Sequence, residues 1–154
     1  MNYKVASALL FTSILSACEV PVLIAASQND AQMTGPFELT FPAAMFAVYD
    51  GDTEELLVGE MIGKASGKAT FTVEGPTWGV CEGQASTRTG DISVTCDNGL
   101  TIDQNLGPQR MKMSGLNTFA GQQDGVEFVT FFGWGNFANE ADLRAAYADY
   151  SSAL

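Results

Sequence analysis

From Phe37 onward, apolar and polar residues alternate with period two, the spacing of strands buried on one face. The segment P-F-E-L-T-F places Phe37, Leu39 and Phe41 on one side and Glu38 and Thr40 on the other. A-M-F-A-V-Y-D and L-L-V-G-E-M-I flank the acidic stretch D-G-D-T-E-E, which predicts a hairpin. K-A-T-F-T-V-E follows, with Ala69, Phe71 and Val73 inward. Further strands are expected at Val80–Ser86, Asp91–Cys96, Leu100–Leu106, Arg110–Met113 and Val126–Phe132, with most of the 16 glycines between them. Short strands and frequent turns predict an all-β, mostly antiparallel domain, a small barrel or sandwich of about 8–9 strands.

The register of the middle strands follows from packing. If Cys81 faces Cys96 across a turn near Arg88-Thr89, then Gly83 faces Val94 and Ala85 faces Ile92, small against large. On the other face Glu82 meets Thr95 and Gln84 meets Ser93, all polar. The next connection is expected to be a three-residue loop, Asp97-Asn98-Gly99, with Gly99 left-handed. This sets Leu100 beside Cys96 and Ile102 beside Val94. A Cys81–Cys96 disulfide would close a loop of about 15 residues, worth roughly 3 kcal/mol in the chain-entropy model. It requires an oxidising compartment.

The C-terminus switches period. In N-E-A-D-L-R-A-A-Y-A-D-Y, Asn139 is a candidate N-cap, and Leu143, Ala146, Tyr147 and Tyr150 share a face. A single helix over about 139–150 is expected to lie on the sheet.

The N-terminus has a different pattern. Lys4 precedes an apolar run of eleven residues, Val5 to Leu15. A bilayer span needs roughly 20 apolar residues, whereas a secretory signal needs fewer. The run ends in Leu15-Ser16-Ala17-Cys18. This stretch resembles the lipobox of bacterial lipoprotein precursors: an aliphatic residue, a small residue, Gly or Ala, then Cys. The resemblance implies diacylglycerol on the Cys18 sulfur, removal of residues 1–17 and acylation of the new amino terminus. Two or three acyl chains anchor stably where one does so only marginally. Glu19 is not the Asp associated with inner-membrane retention, which favours the outer membrane, facing the periplasm. Two other readings stand beside it. One is ordinary signal cleavage after Cys18, with Ser16 and Cys18 as the small flanking residues. The other is a membrane anchor running on through Val22-Leu23-Ile24, which would have to carry Glu19 and Pro21. The expected organisation is a signal peptide (1–17), a lipidated tether (18–35) and a single β-rich domain (36–154).

Charge narrows the function. The chain of 154 residues carries 18 acids, 7 bases and no His, a net charge of −11. Such a chain repels phosphate backbones, so nucleic acid is a poor partner, and a bare anionic membrane is by this count equally poor. Basic proteins or divalent cations are favoured. The missing His removes Ser-His-Asp and Cys-His catalysis and His-ligated zinc. In D-G-D-T-E-E, four carboxylates fall within six residues (Asp50 to Glu55), but an EF-hand loop begun there would put Glu60 and Met61 in its last two places. An acidic hairpin tip is the better reading. G-K-A-S-G lacks the spacing of a phosphate loop and reads as a strand connector. Met61, Met111 and Met113 are expected to fill the core. Trp78 and Trp134 sit among glycines at strand ends, as core plugs or as a candidate binding surface.

The expected function is therefore a non-enzymatic, lipid-anchored envelope protein that binds another envelope component. No cofactor or metal is expected beyond the lipid on Cys18. One alternative is an acidic inhibitor of a basic periplasmic hydrolase, a lysozyme or protease. Another is a carboxylate-dependent glycan hydrolase.

Overall fold

The computed structural model describes residues 28–51 and 53–154. The lipobox-like stretch with Cys18, and Asp52 of the acidic turn, lie outside the described residues. Nine strands are present among the described residues: β1 (Gln32–Gly35), β2 (Glu38–Tyr49), β3 (Thr53–Lys64), β4 (Lys68–Gly75), β5 (Gly79–Ser86), β6 (Asp91–Cys96), β7 (Thr101–Asn105), β8 (Gly115–Gln123) and β9 (Val126–Trp134). All pair antiparallel, in the order β7-β6-β5-β4-β3-β2-β9-β8, with β1 beside the start of β2. The sheet curls into a nearly closed barrel. No described helix is long and apolar enough to cross a membrane.

The inward faces of the strands form one core that includes Phe41, Met45, Leu57, Phe71, Val73 and Phe132. Tight curling is achieved by pairing rings with glycines. Phe71 stands opposite Gly83, Phe128 opposite Gly121, and Trp134 opposite Gly115. In the Gly83 and Gly115 pairs the ring occupies the space that a glycine Cβ would need, and at Gly121 the ring comes within 3.0 Å of it. An aromatic side chain that covers a glycine on the next strand restores the packing lost with the missing side chain.

β2 is the central strand, yet it contains Pro42. On one edge β1 pairs with β2 up to Thr40, and β9 takes over at Ala43. Pro42 falls in the gap between them, where a residue without an N–H leaves no ladder bond unmade.

The barrel seam lies between β7 and β8. Among the described residues it is bridged by one side chain: Gln123 accepts from the Thr101 N–H (2.8 Å) and donates to the Gly99 carbonyl (2.6 Å). The Cys81–Cys96 disulfide joins β5 and β6.

A 3-10 turn (Gly135–Phe137) leads to the single described helix longer than a turn, α1 (Glu140–Ser152). Asn139 Oδ1 caps it by accepting from the Asp142 N–H at 2.9 Å. Leu143, Ala146, Tyr147 and Tyr150 pack on the outward residues Ala44, Phe46, Val48 and Phe131. The Arg144 guanidinium lies 4.6 Å from the centre of the Phe46 ring and pairs with Glu54 at 2.5 Å.

The expected register of β5, β6 and β7 is found at every position, including Gly99 at φ 89° and Ile102 opposite Val94. Four expectations are corrected. Arg110–Met113 is a connection, and the strand of this region is β8, beginning at Gly115. β8 escapes a hydrophobic-pattern reading because Phe119 is its only large inward residue; its glycine sites are filled from β9. Gln32–Gly35, expected in the tether, pairs with β2 as β1. Phe37 does not share the inward face of Leu39 and Phe41: it occupies the β1–β2 turn and is 78% exposed. Met111 is exposed as well, whereas Met61 is buried and Met113 packs against the core.

Candidate functional site

In an up-and-down sheet, alternate turns gather at opposite ends of the barrel. The β2–β3, β4–β5, β6–β7 and β8–β9 turns form one end, and hydrogen bonds tie them into a ring. Asp50 N–H donates to the Glu127 carbonyl (3.0 Å), and Asn98 N–H donates to the Trp78 carbonyl (3.3 Å). Thr77 N–H donates to Glu55 Oε1 (2.8 Å), and Gln123 closes the circle to Gly99.

This rim is acidic. Asp50, Glu54, Glu74, Asp97, Asp124 and Glu127 are all exposed on it. The base that reaches it among the described residues is Arg144, which bonds Glu54 and Glu140. Two carboxylates do structural work. Asp97 Oδ2 accepts from the Val80 N–H at 3.0 Å. Glu55 points inward from β3 and is 5% exposed. Its Oε1 accepts from the N–H groups of Thr77 and Trp78, each at 2.8 Å, and so holds the β4–β5 turn against the barrel mouth. The other oxygen, Oε2, is buried and unpartnered, as is Thr130 Oγ1. Both residues stand in one inward row, with Ala47 between them.

The candidate tryptophans behave differently. Trp78 is buried at 3% exposure, with its ring 5.5 Å from that of Tyr49; it is a core plug and offers no ring to a partner. Trp134 is half-buried, covers Gly115 and donates from Nε1 to the Lys112 carbonyl at 3.2 Å. It lies toward the opposite end of the barrel, so the two rings do not form one surface.

Among the described residues no three His, Cys, Asp or Glu side chains are close enough to hold a metal. An open groove of about 240 Å³ lies on the outer wall between Asp30, Gln32, Thr40, Pro42 and Glu60, where β1 gives way to β9. It is smaller than ordinary small-molecule sites of roughly 300–1,000 Å³.

Glu55 and Gln123 are the residues that a sequence reading missed. Their signal was parity: Glu55 shares its face with Leu57 and Met61, and Gln123 shares its face with Phe119. No protein-family model matches the chain, and neither curated proteins nor solved structures give a match.

Proposed function

We propose that the chain is a lipid-anchored envelope protein without enzymatic activity, whose acidic rim binds a basic envelope protein. The observation that carries this reading is the rim itself: six exposed carboxylates on hydrogen-bonded turns and the strand ends beside them, around a core filled with side chains. A ring of like charge fixed on short turns attracts a basic partner with little loss of loop freedom. The lipobox-like segment supplies the anchor, and the Cys81–Cys96 bridge fits an oxidising compartment. A basic hydrolase held by the rim is one such partner, which keeps the inhibitor reading within the same proposal. The glycan-hydrolase reading is disfavoured, because the carboxylate directed into the barrel, Glu55, is buried and engaged by two backbone N–H groups.

The test is a photo-crosslinking residue in place of Thr77, on the rim, in intact cells. One basic envelope protein should be captured, and capture should fall when Asp50→Asn, Asp124→Asn and Glu127→Gln are combined. Capture that ignores these changes contradicts the reading.

A further inference from the structure

The opposite end of the barrel has the opposite charge. It is formed by the β1–β2, β3–β4, β5–β6 and β7–β8 connections, which are also bonded to one another. Ala65 N–H donates to the Phe37 carbonyl (3.0 Å), Thr87 N–H to Gly67 (2.8 Å), Leu106 N–H to Gly90 (2.9 Å) and Gln109 N–H to Thr87 (2.8 Å). Lys64, Lys68, Arg88, Arg110 and Lys112 all lie on these connections or at the strand ends beside them, and all are exposed. Every base among the described residues except Arg144 is therefore at this end. Two acids stand among them: Glu38 pairs with Lys64 at 2.9 Å, and Asp91, which accepts from Asn105 Nδ2 at 2.6 Å, keeps its charge. The bases still outnumber the acids five to two. A net charge of −11 conceals this segregation, because the sum ignores which turn each charge occupies.

Exposed apolar side chains are interleaved with the bases. Phe37 is 78% exposed, Met111 51% and Leu106 38%. Phe37 follows Pro36 in the tight β1–β2 turn at φ 76°. Glycine is the residue suited to that position, and a bulky side chain there is strained. The ring does not offset the strain by packing, since it stands in solvent.

We propose that this end of the barrel rests on an anionic phospholipid surface, with Phe37 and Met111 dipping into the headgroup layer among the five bases. This rests on the lipid-anchored reading. Bases near an anionic leaflet, interleaved with apolar side chains, are the chemistry of interfacial binding. The chain also arrives at this end: β1 runs into the Phe37 turn, and the 14 residues from Cys18 to Ala31 span at most about 50 Å. Docking there turns the acidic rim away from the membrane, toward a partner. The local charge overrides the whole-chain argument against an anionic surface, because charges beyond about 10 Å are screened at ordinary salt.

The test uses the native lipidated protein reconstituted in phosphatidylcholine vesicles with and without phosphatidylglycerol. An environment-sensitive label is placed at Ser66→Cys, in the β3–β4 turn, or at Thr77→Cys, on the rim, and brominated lipid serves as quencher. On vesicles containing phosphatidylglycerol, the Ser66 label should be quenched and the Thr77 label should not. Combining Lys68→Gln, Arg88→Gln and Arg110→Gln should abolish the difference. Phe37→Gly, which relieves the backbone strain, should weaken quenching while leaving the fold as stable or more so. A Ser66 label quenched no more than the Thr77 label, or quenched equally without phosphatidylglycerol, overturns the docking and leaves the face to an acidic protein. Protein that does not sediment with vesicles at all overturns the anchored reading, and the docking with it.

Discussion

Phe71 stands directly opposite Gly83 in the β4–β5 ladder and lays its ring where a Gly83 Cβ would be. The pair fixes how closely β4 and β5 approach at the barrel core. Gly83→Ala forces the ring into a filled interior, and overpacking of this kind costs about 1–3 kcal/mol. Denaturant unfolding should show that loss. Gly35→Ala, where the nearest atom to the new carbon is 3.4 Å away, should be close to neutral. Equal effects at the two sites would reject the ring-over-glycine account.

Glu55 holds the β4–β5 turn through two backbone N–H groups. Glu55→Ala leaves both without their acceptor, and a buried donor left unsatisfied costs about 1–3 kcal/mol. A loss of about 2–3 kcal/mol is expected, together with a weakened near-ultraviolet signal from Trp78, whose own N–H is one of the two. Glu55→Gln keeps a carbonyl oxygen in place of Oε1 and should cost less. Equal losses for the two variants would contradict the role assigned to Oε1.

How much of this was legible can be argued from particular residues. The β5–β6–β7 register could be read because large and small, polar and apolar, and both cysteines agreed on one alignment. β8 could not, because Gly115 and Gly121 take their packing from Trp134 and Phe128 on the neighbouring strand. Missing β8 also hid the charge segregation. Only when the strand order is known do Lys64, Arg88 and Arg110 fall on alternate turns of one end, with Asp50, Asp97 and Asp124 on those of the other. The D-G-D-T-E-E stretch reads as an acidic tip, which holds for Asp50 and Glu54. Glu55 departs from it because strand alternation turns it inward.

Asp91 offers a pH signature at the basic end. Hydrogen bonds from the Thr89 side chain, and then from Asn105, hold its carboxyl below the ordinary value of 3.8. A depressed carboxyl stabilises the fold above the ordinary carboxylate range, and the contribution is lost as pH falls through the lowered value. Following the Asp91 carboxyl resonance through an acid titration should show its midpoint rise in Thr89→Ala and, by less, in Asn105→Ala. An unmoved midpoint in both would discard those bonds as the cause.

Anchoring is the claim on which the orientation of both charged ends depends, and the mass of the native chain tests it most directly. Intact mass spectrometry of protein extracted from membranes should find a chain that begins at Cys18, lacks residues 1–17 and carries two or three acyl chains. The acylation should vanish in Cys18→Ser. A native chain with residues 1–17 still attached, or with an unmodified Cys18, would contradict the account.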